Sequence, residues 1–327
     1  MMSDQGTSGM GLHGRAPHER PSDRNALIRD PVVILAAPRS GSSALFAALS
    51  AHPDLWSRYR ESNQLFEGPF DPILTGAPSN ALTEDDLEED TRGTLLRGFF
   101  DSVGNLERLP FTRHITLRGR GRRRISEAIA LLTKPLKRPP IRIVEKSPKN
   151  TFRVPFLRAL FPDARFIHLT RDPRGNIASL YRAWQMPGRY KTYPLPPGFR
   201  VVGYSGSEWS FVLQPGWDRL DGRTLVEICA DQWRACNEAC MRDLRSVGPE
   251  VAMRVRYEDV VAHPMEALGR IAGWAHLDPA PFERFAAGLE AIQATSKPHP
   301  DKWRGLQREI GSVLGQVEDV ASTLGYS

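Results

Sequence analysis

The sequence predicts an α/β fold of three layers, a mainly parallel central sheet flanked by helices. Three observations carry that expectation. Short apolar, β-branched runs alternate with segments of helical periodicity, the pattern of right-handed βαβ crossovers. Strands joined that way form parallel sheets covered on both faces. Finally, the runs ending at Ala37, Val144 and Thr170 each lead straight into a polar turn. Ligands of such sheets sit beyond the carboxyl ends of the strands, so the three turns are expected to converge.

Composition sets the outer bounds. A chain of 327 residues, 40% hydrophobic and 25% charged, has the make-up of a soluble globular protein with ample length for a core. The net charge of +6 suits an anionic ligand or acceptor. Cys229, Cys236 and Cys240 fall in one helical stretch with no nearby histidine, which reads as buried thiols rather than a metal site. No apolar run is long enough to span a membrane, and the first thirty residues lack a secretory h-region, so a cytoplasmic location is expected.

Along the chain, residues 1–30 are rich in Gly, Ser, Pro and charge and read as a disordered tail, with a single domain expected over 31–327. Val32 to Ala37 is a strand, Pro38 to Ser43 a turn, and Ala44 onward a helix. Arg58 to Asp71 reads as loop. Leu82 to Phe100 reads as one helix, with Thr83 as N-cap and acidic residues in its first turn. Ile141 to Val144 is a strand, Phe152 to Phe161 a helix, and Ala164 to Thr170 a strand. Asp172 caps the next helix, with Pro173 at its first position, where a missing N–H costs nothing. That helix runs to about Trp184. Residues 185–222 are dense in Pro, Gly and aromatics and read as an insertion. A helix over Thr224 to Val247, a strand over Val251 to Tyr257, a helix over Pro264 to Ala275 and a mostly helical Trp303 to Leu324 complete the pattern.

The first turn carries the most chemistry. Pro38-Arg39-Ser40-Gly41-Ser42-Ser43 joins a buried-type strand to a helix start, where backbone N–H groups and partial positive charge favour a phosphate. The fold expectation is therefore P-loop NTPase-like, with one departure. In GxxxxGK[ST] a lysine follows the last glycine and reaches the β/γ-phosphates. Here Ser42 follows Gly41, and the turn's only cation is Arg39. The second element is Arg171 at a strand end, with Ser179 eight residues on, about two turns into the capped helix. A guanidinium fork and a hydroxyl there suit a second phosphate.

These motifs resemble those of sulfotransferases that use 3′-phosphoadenosine 5′-phosphosulfate (PAPS), of the bacterial kind related to carbohydrate and tyrosylprotein sulfotransferases. Pro38 to Ser43 matches that group's P-[KR]-S-G-[ST]-[ST] turn, and Arg171 and Ser179 match its Arg-x7-Ser pair. Glu145 to Arg174 and Arg256 to Val260 are also similar, and the likeness extends from about Pro31 to Arg304. The resemblance implies PAPS as donor, 3′-phosphoadenosine 5′-phosphate (PAP) as product, and no metal. It assigns Arg39, Ser40, Gly41, Ser42 and Ser43 to the 5′-phosphosulfate, and Arg171 and Ser179 to the 3′-phosphate. A later basic loop, Lys297 to Arg304, adds Lys302 and Arg304 as cofactor contacts, with Trp303 packing near. Arg39 and Lys146 are the candidates to stabilise the leaving oxygen. Glu61 is the candidate base, with Glu67 as its competitor.

Of the histidines, His114 is the only one in a stretch comparable to that supplying the base of phenol and steroid sulfotransferases. His168 reads as a core histidine and His52 as a helix terminator. Arg108 to Arg142 is strongly basic and reads as a solvated face, an acceptor surface or a nucleic-acid contact, although no interleaved aromatics support the last. The expected partner is a small-molecule, glycan or lipid acceptor, without nucleic acid and with a homodimer possible. Two rival readings stand beside the sulfotransferase one: a P-loop-type nucleotide kinase or NTPase, and a non-catalytic nucleotide-binding protein. Ser42 at the lysine position disfavours the first. The second makes Glu61 and Lys146 dispensable.

Overall fold

The computed structural model describes residues 26–58, 61–103, 137–283 and 300–326. A four-stranded parallel sheet of order β2-β1-β3-β6 forms its centre, from β1 (Val32–Leu35), β2 (Val144–Lys146), β3 (Arg165–Thr170) and β6 (Ala252–Arg256). The three strands that lead into polar turns are therefore neighbours. Val32 pairs with Val144 on one side and with Arg165 on the other.

All four residues of β1 are fully buried, each side chain contributing about 1.5–3 kcal/mol of transfer free energy. Val33 and Leu35 face one apolar cluster, with Phe156, Leu157 and Phe166. Val32 and Ile34 face another, with Leu45, Leu49 and Leu268. Period-two alternation between two cores is what a sheet covered on both faces requires. Helices α1 (Ser42–Ser50), α4 (Glu89–Ser102), α5 (Val154–Leu160), α6 (Pro173–Trp184), α7 (Leu225–Asp243) and α9 (Pro264–Trp274) supply most of the covering layers. Among the described residues, no helix is long and apolar enough to cross a membrane.

Several elements differ from expectation. Arg58 to Asp71 is not all loop: it holds α2 (Asn63–Phe70), followed by the single turn α3 (Pro72–Thr75). Gly68 and Pro69 disguise its periodicity, and tertiary packing forms it: Phe66 is fully buried edge-on against Phe99 and Phe156, at 5.9 Å from each. The helix expected from Leu82 is broken. Thr83 makes a capping box, but on a short 3-10 turn over Glu84–Asp86, and α4 starts at Glu89. The strand expected at Ile141 starts at Val144, because Ile141 and Ile143 make isolated bridges to Ile28 and Trp56 instead. Ile28 is buried there and Asp30 pairs with Arg142 and Arg165, so residues 28–30 are docked rather than part of a tail. Tyr257 ends no strand but opens α8 (Tyr257–Ala262).

The insertion carries a two-stranded antiparallel ribbon, β4 (Lys191–Pro194) and β5 (Glu208–Ser210). Trp209 is fully buried and sits edge-on to Trp184 at 5.0 Å, so part of the aromatic density is packing. The C-terminal stretch docks on α6 and α7 through a 3-10 segment, Pro300–Leu306, then α10 (Gln307–Gly311) and α11 (Glu318–Thr323). The three cysteines are free thiols buried on α7. Burial pushes all three up, Cys236 to about 12, which makes them poor nucleophiles.

Candidate active site

The turn after β1 is braced from within. The Ser40 hydroxyl lies 2.7 Å from both Ala37 O and Asn176 Oδ1, and the Asn176 amide donates to Pro38 O at 2.8 Å. Ser40 is buried, and these bonds engage its hydroxyl within the loop. Arg39 stands in the left-handed region at φ 67°, and Arg171 Nη1 donates to its carbonyl at 2.8 Å. Gly41 follows at φ 86° as the N-cap of α1, with no side chain capping that helix. The N-terminus of α1 thus keeps its donors and partial positive charge for a ligand.

A Cβ on Gly41 would run into two ring carbons of Tyr257. That ring also packs 4.5 Å beneath the Arg171 guanidinium. Only glycine allows this approach at this backbone angle. Gly41→Ala is expected to destabilise the fold by about 1–3 kcal/mol. Thermal melting checks this, and an unchanged melting temperature would mean that the Tyr257 ring moves aside freely.

A cavity of about 390 Å³ opens where the three strand-end turns meet α6 and the insertion. Arg39, Gly41, Ser42, Ser43, Glu61, Lys146, Arg171, Ser179 and Lys302 all line it; Ser40 and Arg304 do not. Arg304 is exposed, and its Nε pairs with Asp301 at 2.9 Å. Trp303 packs 5.7 Å from the Arg174 guanidinium.

The cations divide between two ends. Lys146 Nζ lies 2.6 Å from Glu61 Oε1 and 3.4 Å from Ser43 Oγ, at the start of α1. Arg39 turns the other way: its Nη1 donates to Tyr190 OH at 3.1 Å, its plane sits 5.0 Å from that ring, and its Nε is 3.4 Å from Ser179 Oγ. Lys146, not Arg39, therefore shares the end that holds Glu61. The competitor Glu67 pairs instead with the buried Lys149, whose amine also reaches Tyr193 OH at 2.7 Å.

Family membership follows from a match over half of the chain. The sulfotransferase family model covers residues 31–194, from β1 to the end of β4. The chain belongs to the sulfotransferase family. Over 152 residues it is 30% identical to the omega-hydroxy-beta-dihydromenaquinone-9 sulfotransferases of Mycobacterium bovis and Mycobacterium tuberculosis, a match covering 46% of this chain. It spans 32% of those relatives' length, about a third. Among solved structures it is similar to a sulfotransferase from Alicyclobacillus acidocaldarius, with a TM-score of 0.46 at 14% identity, covering 91% of this chain and 97% of that one. A sulfotransferase domain of the curacin biosynthetic pathway gives a TM-score of 0.44 at 15% identity, over 91% and 98% of the two chains.

Arg182 and Tyr257 are among the cavity-lining groups that were not singled out from the sequence. Arg182 lines the cavity and donates to Lys302 O at 2.7 Å. Gly175, Ser179, Arg182 and Met186 all line the cavity, and their spacing places them on one face of α6 and its continuation, the signal that finds Arg182. Tyr257 lies in the Arg256 to Val260 segment that resembles the family, but its part in the site depends on the close approach of α8 to Gly41, which that segment alone does not reveal.

The other candidates lie elsewhere. His168 is buried on β3, 3.0 Å from Asn237 Oδ1, and burial pulls it down to about 4, so it stays neutral as a core histidine. His52 Nε2 lies 2.9 Å from Asp278 O just past the end of α1. His114, and Arg118 to Arg124 of the basic stretch, lie outside the described residues.

Beneath the site, the Glu145 carboxyl is fully enclosed. Burial pushes it up, and the Glu61 charge adds to this, against hydrogen bonds from Ser62 and Asn150 that act the other way. The folded protein thus holds this proton more tightly than the unfolded chain does. Stability falls as pH rises from the ordinary carboxylate range through the raised value, then levels off. Glu145→Gln has no such proton and can still accept from Ser62. Its stability relative to wild type is expected to be higher at about pH 8 than at about pH 5, as read from urea midpoints. The same difference at both pH values would mean that Glu145 does not titrate between them.

Proposed function

We propose that this enzyme moves a sulfuryl group from PAPS to a hydroxyl or amine of a small-molecule, carbohydrate or lipid acceptor. One observation carries the reading: a single cavity is lined both by the α1 start with Ser43, Lys146 and Glu61 and by Arg171 with Ser179. Two sets of anion-binding groups in one cavity suit a nucleotide bearing both a 5′- and a 3′-phosphate. The α1 N-terminus and Ser43 receive the 5′-phosphosulfate, and Arg171 and Ser179 receive the 3′-phosphate.

In the transfer, the bond between sulfur and the bridging phosphate oxygen breaks as a bond from the acceptor oxygen to sulfur forms. The bridging oxygen leaves with PAP, its growing charge met by Lys146 and the helix N-terminus. The acceptor's proton passes to Glu61. Positioning and charge stabilisation do most of the work, as in phosphoryl transfer.

The acceptor lies toward the insertion. Tyr190 and Phe211 stack there at 5.1 Å, both with left-handed backbone, and line the cavity with Met186. That wall supports an acceptor with an apolar or flat portion next to its hydroxyl. The curated relatives, named for a hydroxylated menaquinone, fit the same class.

Thermal shift tests the donor assignment. PAP at a hundred times its Kd is expected to stabilise the protein by about 2.7 kcal/mol, with AMP and ATP–Mg²⁺ well behind at the same concentration. Stabilisation by ATP–Mg²⁺ without any by PAP would overturn the proposal.

A further inference from the structure

The segment carrying Glu61 is stitched to the end of β2 one residue at a time. Glu61 pairs with Lys146, Ser62 donates to Glu145, and Ser147 donates to Asn63 Oδ1 at 2.6 Å. Ser62 sits at the N-cap of α2, yet makes no capping bond, because its hydroxyl is engaged by Glu145. Asn63 completes the pattern by donating from Nδ2 to Glu61 Oε2 at 3.0 Å.

The polarity of this chain is determined at both ends. The backbone N–H of Lys149 can only donate, and it donates to Ser147 Oγ at 3.2 Å. The Ser147 proton is then available to Asn63 Oδ1, which turns the Asn63 amide nitrogen toward Glu61. An ionised carboxylate only accepts, so the reverse orientation would set two oxygens against each other. Glu61 therefore has one donor on each oxygen, Lys146 on Oε1 and Asn63 on Oε2.

The two donors differ in their other engagements. Lys146 also reaches toward Ser43, where the phosphosulfate is received under the function proposed above. A lysine drawn to the leaving oxygen loosens its hold on Glu61. Asn63 is not drawn away in this manner, being neutral and anchored through Ser147 to backbone. We propose that Asn63 is a positioning residue for the base, holding the Glu61 carboxylate in its reactive orientation while Lys146 serves the leaving oxygen. The inference rests on the sulfotransferase reading of the cavity.

The test uses the full chain and [35S]PAPS, with label followed into water and into 1-hexanol as a probe alcohol. Asn63→Ala is expected to lower kcat about tenfold, with PAP affinity and melting temperature kept. Asn63→Asp, nearly the same shape but without the donor, is expected to lose at least as much. Glu61→Gln loses more, and adding Asn63→Ala to it costs nothing further, because both act through one carboxylate. Unchanged turnover in both Asn63 variants would overturn the inference. So would a loss that multiplies with that of Glu61→Gln, or one that follows PAP affinity. If Asn63→Ala folds poorly, Asn63→Asp and Ser147→Ala decide the same question. A wild-type chain that binds PAP but turns over PAPS with neither acceptor overturns the enzymatic reading itself, and this inference with it.

Discussion

Glu61→Gln is expected to cut sulfuryl transfer by about 10²–10⁴-fold while leaving PAP affinity unchanged. The split follows from where the side chain sits. Its carboxylate lines the cavity 2.6 Å from Lys146 Nζ, and none of its hydrogen bonds goes to Arg171 or Ser179. A glutamine keeps the volume and an oxygen for Lys146 but cannot take up the acceptor's proton. Transfer from PAPS to the acceptors of a cell extract, scored by the mass gain of one sulfuryl group, measures the loss. Calorimetry with PAP measures the affinity. Wild-type turnover would clear Glu61 of the role, and Glu67, tied to Lys149, would not replace it without rearrangement.

Arg171→Ala is expected to weaken PAP binding by about 1.5–3 kcal/mol, roughly 10- to 150-fold. AMP, which lacks the 3′-phosphate, should lose far less. This comparison matters because the guanidinium has three engagements: the Arg39 carbonyl, the Tyr257 ring and the cavity. Burial lowers its pKa, against the opposing pull of Tyr257 and Glu258, so it stays charged while losing part of its hydration. A partly desolvated cation facing a cavity is poised for an anion. Equal losses for PAP and AMP would instead make Arg171 a brace for the phosphate loop.

The sheet and its three turns were legible because their signals are local. Asp172 caps α6 through Arg174 N at 2.8 Å, with Pro173 at its first position, and the helix ends at Trp184 as its pattern predicts. The cavity lining could be read to a similar degree, since Arg39, Arg171, Ser179, Glu61 and Lys146 each lie at or near a strand end, a loop or a cap. Other features depend on distant partners. Helix α2 exists because Phe66 packs against Phe99 and Phe156, which no window around residue 66 contains. The Ser40 hydroxyl turns inward because Asn176, far along the chain, meets it there. Arg39 points toward Ser179 because Tyr190 of the insertion supplies a ring and a hydroxyl beside it. Polar residues in a Gly/Ser turn all look like ligands until the fold shows which way each one faces.

Strand order also bears on how the chain is made. β1 finds its partners only at Val144 and Arg165, on the order of 110 residues after its own synthesis. At roughly 5–20 residues per second, a nascent chain carries the fully apolar Val32–Leu35 segment with both edges unpaired for several seconds. The strand that leads into the Pro38–Ser43 turn is thus the first made and, among the described strands, the one that waits longest for a partner. Truncated nascent chains ending between β1 and β2 should therefore be the ones most in need of chaperone protection.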